Sequence, residues 1–255
     1  MTAMPHFNYM GARLHYDTLG AGPPWILHHG FGQTGPSWTE AGWTDALTDR
    51  FTVVLLDALG HGKSDRGGDL DGYLIPSHGQ AVAALAEHLG FGTFGLMGFS
   101  LGGRAALELA ASRHPALGSA VVIGMKARMT AEDMGRAASS VRALRSGRIR
   151  SLRGGRRGPN ENDAESLALT MEGVAQWHGV WDRIDRIRAP VLMVCGERDP
   201  YHDGAREAAR AISLGEFLGL PEIDHGDSFD LSYLSLPAVI RFMSRVSEHK
   251  AADRP

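Results

Sequence analysis

The chain has 255 residues, 43% hydrophobic and 22% charged, with a formal net charge of −3. That balance belongs to globular proteins and excludes disordered, collagenous and disulfide-framed classes, because the single cysteine, Cys195, has no partner within the chain. No apolar run approaches the roughly 20 residues that span a bilayer, and an acidic whole without interleaved basic and aromatic residues argues against a nucleic-acid partner.

Along the chain, Phe7-Asn8-Tyr9 and Arg13-Leu14-His15-Tyr16 alternate polar and apolar residues and predict an antiparallel edge hairpin. Short apolar runs follow at 25–29, 52–57, 94–98, 120–124 and 191–195, the pattern of strands covered on both faces. A last strand is expected over 216–223. Helical spacing at 80–89, 101–113, 205–212 and 237–248 falls between these runs. The alternation predicts crossover helices on both faces of a mostly parallel sheet.

Between Met125 and Arg183 the alternation stops, and two helical stretches flank a Gly- and Arg-rich loop over 146–160. The domain reading is therefore a core of residues 1–124 and 184–255 with a helical cap over 125–183, placed where ligand-binding loops gather. Between Lys126 and Arg157 lie ten basic residues, opposed by Glu132 and Asp133 alone. They read either as a solvated helix and loop or as a basic lid that attracts anionic substrates. Cys195 ends an apolar run and reads as a buried strand thiol. The N-terminus lacks the layout of a secretory signal, so a cytoplasmic location is expected.

Leu96-Met97-Gly98-Phe99-Ser100-Leu101-Gly102-Gly103 places a serine between two glycines where a strand gives way to a helix. Such a G-x-S-x-G turn exposes the hydroxyl, and the following helix aims its free N–H groups at it. A serine hydroxyl is a weak nucleophile and needs a base held by a third group. Among twelve histidines, His225 lies just beyond the last predicted strand. Asp199, on the turn Gly196-Glu197-Arg198-Asp199, is the acid favoured over Glu197 and Asp203. No histidine pair at helical spacing comes with a third ligand, so no metal is expected. No G-x-G-x-x-G follows the first parallel strand, and Gly60-His61-Gly62-Lys63-Ser64 lacks the first glycine of a phosphate loop. No cofactor is expected.

Five motifs in order, His29-Gly30-Phe31, Asp57 to Ser64, Gly98 to Gly103, Gly196 to Asp199 and Asp224-His225-Gly226, resemble the α/β-hydrolase superfamily. The resemblance implies an α/β-hydrolase fold with about eight strands. It implies Ser100 as nucleophile, His225 as base, Asp199 as its orienting acid, and the backbone N–H groups of Phe31 and Leu101 as the oxyanion hole. His29 and His61 fall at positions that support loops around the site, while His28, His78 and His178 receive no role. Candidate substrate-contacting residues are His29, Phe99, Arg104, Trp177 and Trp181.

A serine in place of a carboxylate argues against haloalkane dehalogenase and epoxide hydrolase chemistry, which leaves a small carboxylesterase working through an acyl-enzyme as the leading expectation. His29-Gly30-Phe31 with Trp38, and Gly98-Phe99-Ser100-Leu101-Gly102-Gly103-Arg104, also resemble the menaquinone-pathway synthase that eliminates pyruvate. In that group an arginine after the elbow helps bind carboxylates. The alternatives are thus this lyase, a carbon–carbon bond hydrolase on an anionic substrate, or a small-molecule receptor with residual hydrolysis. The expected partner is a small-molecule substrate, with the chain a monomer or homodimer.

Overall fold

The structure, a computed structural model, describes residues 5–148 and 164–252. The hairpin of β1 (His6–Tyr9) and β2 (Ala12–Leu19) leads into β3 (Pro24–His28), β4 (Thr52–Leu56), β5 (Phe94–Phe99), β6 (Leu117–Ile123), β7 (Val191–Gly196) and β8 (Gly215–Leu220). They form one eight-stranded sheet in the order β1-β2-β4-β3-β5-β6-β7-β8. β1–β2 and β2–β4 pair antiparallel, and every other neighbour is parallel. This is the α/β-hydrolase architecture. The register sets His28 beside Gly98, Phe99 beside Ile123, and Gly196 beside Leu220. The loops after β3, β5, β7 and β8 therefore leave from one carboxyl edge of the sheet, where ligand sites of open α/β sheets form.

The period-2 alternation of the central strands divides the core. Ile26, Val54, Leu96, Val122 and Met193 face one side, packed with residues of α3 (Ile75–His88), α4 (Leu101–Ala111) and α7 (His202–Ala211). Trp25, Leu27, Val53, Met97, Val121 and Val194 face the other, packed against α2 (Trp43–Leu47) and α9 (Leu236–Ala252). Strands covered on both faces have no polar side to show, which is why their sequences read as unbroken apolar runs.

Four elements depart from the sequence expectation. α3 begins at Ile75, five residues before the expected start, because Pro76 at its first turn forfeits an N–H that the helix would not have used. α1 (Ser37–Glu40) and α2 were not anticipated: four or five residues are too few for helical periodicity. The final strand ends at Leu220, and residues 221–226 form the loop that carries His225. A short helix, α8 (Asp227–Asp230), follows that loop, and among the described residues no helix is long and apolar enough to cross a membrane.

Between β6 and β7 the described chain is helical, with α5 (Ala131–Arg145) packed on α6 (Ala164–Ala175). α5 opens with a reciprocal cap: Asp133 N–H donates to the Thr130 hydroxyl while Thr130 N–H donates to the Asp133 carboxylate. Arg150, Arg153, Arg156 and Arg157 of the basic loop lie outside the described residues. The far end of the helical segment is tied back where Arg128 bridges Gly179 and Val180 N–H donates to Ala127 O at 2.8 Å. Gly179 has φ +93°, and a Cβ there would sit 2.1 Å from Ala127 O. Gly179→Ala is therefore expected to cost about 1–3 kcal/mol and to lower the thermal midpoint by several degrees. An unchanged calorimetric midpoint would remove this tether from the account.

Candidate active site

Ser100 sits between β5 and α4 at φ 49° and ψ −97°, a backbone conformation costing on the order of 1–3 kcal/mol for a residue with a Cβ. The neighbouring glycines make it possible. A Cβ on Gly98 would lie 2.1 Å from Gly102 O, and one on Gly102 would lie 2.0 Å from His28 O. The turn is further held by Ser100 N–H donating to Ile123 O at 2.9 Å and Gly102 N–H donating to His29 O at 3.2 Å. Both bonds use backbone from adjacent strand ends, so sheet register and elbow geometry are one constraint.

Two sequence-distant side chains converge on the serine. His225 Nε2 lies 3.0 Å from Ser100 Oγ, and His225 Nδ1 lies 2.6 Å from Asp199 Oδ2. The Asp199 carboxylate is fully buried, whereas Glu197 is exposed and Asp203 pairs with Arg206 on the surface. Burial opposes charge on Asp199, but hydrogen bonds from His225 and from the Tyr201 backbone N–H outweigh it and hold its pKa below the usual value. An ionised carboxylate thus fixes the Nδ1–H tautomer of His225 and leaves Nε2 to accept from serine.

Tyr201, which sequence reasoning passed over, contacts both partners. Its N–H reaches Asp199 Oδ1 at 2.9 Å, and its ring meets the His225 ring edge-on at 5.8 Å. The only sequence signal was its place two residues after an aspartate, where a local carboxylate-to-backbone turn forms. Behind His225 an aromatic stack runs from Phe99 (5.2 Å) to Phe229 (4.8 Å from Phe99), and Trp43 Nε1 donates to Phe229 O at 2.9 Å.

The other expected contact residues are placed less simply. Phe31 and Trp181 keep partial exposure, but Phe99, Leu101 and Trp177 are buried as side chains. Phe99 backs the histidine, and Trp177 lies beside Arg104, whose guanidinium carbon is 5.8 Å from the indole centroid. His29 is wholly buried, and its Nε2 accepts from Ala58 N–H at 3.1 Å. It braces the loop after β3 from within. Leu101 opens α4 directly after the serine, and first-turn N–H groups have no partner inside a helix.

Arg104 is 7% exposed and forms no ion pair among the described residues, and its Nε has no hydrogen-bond partner there. Burial draws its pKa below the ordinary value, opposed by Tyr201 and by the charge of Asp133. Asp133 itself is taken by Lys126 at 2.7 Å and by Arg136. Arg128 lies 4.2 Å over the Trp181 ring. Among the described residues no cluster of metal-binding side chains occurs.

A sequence model for the alpha/beta hydrolase fold matches residues 23–176. Haloalkane dehalogenase 2 of Mycobacterium tuberculosis is 36% identical over 110 residues, 42% of this chain and 36% of that protein. The chain thus spans little more than a third of that curated relative's length. Among solved structures, a thermophilic esterase from Thermogutta terrifontis superposes with TM-score 0.79 at 22% identity, covering 96% of this chain and 98% of the other. MenH from S. aureus superposes with TM-score 0.77 at 17% identity, covering 91% and 98%. At such identities the superpositions establish fold and leave chemistry to the site.

Two expected outcomes follow from this geometry. Gly98→Ala abolishes the elbow and with it any activity of Ser100, while Gly90→Ala, in open space at φ +71°, leaves activity intact; equal activities would contradict the steric account. Burial also lowers the His28 pKa to about 4. The unfolded state, with histidine near 6.5, then binds more protons as pH falls, so stability present above that value is lost between about pH 6.5 and 4, on the order of 3 kcal/mol. Denaturant titrations across that range check it, and His28→Asn should make the dependence shallower, with His29 and His78, also held well below the ordinary value by burial, keeping the remainder.

Proposed function

The chain belongs to the alpha/beta hydrolase fold family, and from that premise we propose that it is a serine hydrolase cleaving a small carboxylic ester through an acyl-enzyme. The carrying observation is the unbroken chain of contacts from Ser100 Oγ to His225 at 3.0 Å and from His225 to Asp199 at 2.6 Å. In this reading His225 takes the serine proton as Oγ adds to the ester carbonyl carbon. The carbonyl oxygen becomes an oxyanion received by the backbone N–H groups of Phe31 and Leu101, donors of a kind worth several kcal/mol. The intermediate collapses, the protonated His225 returns its proton to the departing alkoxide, and the acyl group remains on Ser100. Water, deprotonated by the same imidazole, then releases the acid and restores the serine.

Asp199 holds the imidazole and stabilises its charged form without itself taking the proton. Of the segment 125–183, the described residues 125–148 and 164–183 are proposed to cap the carboxyl edge, with Phe31 and Trp181 as half-exposed apolar contacts. The serine at 100 distinguishes the chain from dehalogenases and epoxide hydrolases, whose covalent intermediate forms on a carboxylate. The proposed setting is the cytoplasm, supported by a single, fully buried Cys195, and the substrate is a small molecule needing no cofactor.

A second reading is favoured by one observation, the buried Arg104 without a carboxylate partner. Buried charges are paired, and with Asp133 engaged by Lys126 and Arg136 the missing anion belongs to a substrate. That suits a carboxylate-bearing substrate, including those of the pyruvate-eliminating lyase or of carbon–carbon bond hydrolases.

Turnover of p-nitrophenyl acetate by wild type and Ser100→Ala tests the first reading. Ser100→Ala should lose at least about a thousandfold in kcat, and Asp199→Asn a comparable amount; retained activity in Ser100→Ala ends the serine-hydrolase reading. The second reading predicts inhibition by small dicarboxylates that is lost in Arg104→Ala. Inhibition unchanged by that substitution ends it.

A further inference from the structure

We propose that His61, together with His29, is a positioning residue that holds the oxyanion loop in shape only while its imidazole is neutral, an inference that rests on the hydrolase reading above. Phe31, whose N–H is assigned to the oxyanion, lies between Gly30 and Gly32. Gly32 N–H donates to His61 Nε2 at 3.2 Å. A ring nitrogen that accepts from an amide carries no proton, so the neutral His61 carries its proton on Nδ1, which faces Leu59 O at 3.1 Å.

His29 repeats the arrangement on the other side. Its Nε2 accepts from Ala58 N–H at 3.1 Å, and its Nδ1–H donates to Gly30 O at 2.7 Å. Gly30 N–H in turn donates to Gln33 Oε1 at 2.9 Å. Both peptides flanking Phe31 are therefore held by side chains, and two of those side chains are imidazoles committed to one tautomer.

A second proton on either ring would set N–H against N–H across about 3.2 Å, converting an attraction into a repulsion. Both rings are wholly buried, so the charge would have no water. The groups around them offer little compensation. His28, at the end of β3, and His78, on α3, lie at 3.2 Å from each other, and the His29 and His61 ring centroids are 5.0 Å apart. The facing carboxylate, Asp57, accepts from Gly35 N–H at 2.7 Å, from Lys63 N–H at 3.0 Å and from His15 Nδ1 at 3.0 Å. Burial, with His61 and His28 alongside, draws the His29 pKa well below its ordinary value despite Asp57. Acid thus displaces the loop, and the Phe31 N–H with it, by a route separate from protonation of His225.

Two substitutions in the full chain separate this role from simple packing. His61→Phe fills the space without an acceptor, whereas His61→Gln places a carbonyl oxygen near the Nε2 position and cannot take up a proton. His61→Phe should lower kcat for p-nitrophenyl acetate by about 10- to 100-fold with KM changed by less than about threefold, and His61→Gln should recover most of that loss. The acid limb of kcat should be steeper in wild type than in His61→Gln, which keeps only the His29 ring of the pair. Equal losses in both variants, or an unaffected kcat in His61→Phe, would overturn the proposal.

A readout without turnover keeps the two readings apart. In glycine-labelled Ser100→Ala protein the Gly32 amide resonance should shift as the solution is acidified, and should be still when His61→Gln is added. A Gly32 resonance indifferent to His61 overturns the positioning role even in an active hydrolase. A titrating one in a chain without Ser100-dependent turnover ends the hydrolase reading, and the oxyanion role with it.

Discussion

The backbone crossing at Ser100 is the constraint on which the remaining structure turns. Gly98, Gly102 and the carbonyls of His28 and Ile123 approach so closely that no side chain fits between them. This contact forces a non-glycine residue to positive φ and brings β3, β5 and β6 into one register. The strain is local and the support is global, since a sheet with both faces buried cannot slip by a residue without exposing a whole layer of its core.

Around that crossing, precision comes from groups that sit one step back. His225 is set by the fully buried Asp199 and by the rings of Phe99 and Tyr201. The Phe99–Phe229 stack and the Trp43 bond to Phe229 O join His225 to the segment after β3, so both sides of the site share one aromatic floor. The loop after β3 is held by the acceptor nitrogens of His29 and His61 and by the Gln33 amide oxygen. Neutral acceptors suit this place: they satisfy buried amides without adding a fixed charge beside Ser100.

The cationic cluster follows a different logic. Lys126, Arg136 and Arg104 gather about Asp133 and Tyr201; Asp133 pairs with Lys126 and Arg136, Glu132 pairs with Arg136 as well, and Arg104 is left without a carboxylate partner among the described residues. A buried guanidinium without a carboxylate partner is costly, and under the proposed function a substrate anion would answer it. Here the esterase and lyase readings diverge on a single electrostatic fact, the unanswered Arg104, while sharing all of the machinery at Ser100.

The sequence by itself determined the sheet, the elbow and the three side chains that meet there. Strands buried on both faces leave unbroken apolar runs, and the spacing of Gly98, Ser100 and Gly102 is a steric requirement written one residue at a time. Other features had no local sign. α1 and α2 are too short for periodicity and exist because Trp38 and Trp43 bury against Phe229. Tyr201 acts through a backbone N–H and a ring edge, which residue identity does not announce. The tautomers of His29 and His61 depend on amides brought from Ala58 and Gly32, and the lack of a carboxylate partner for Arg104 depends on which cations reach Asp133 first. Local chemistry can be spelled by neighbouring residues, but hydrogen-bond polarity and charge balance are sums over everything the fold brings near, and only the tertiary structure performs that sum.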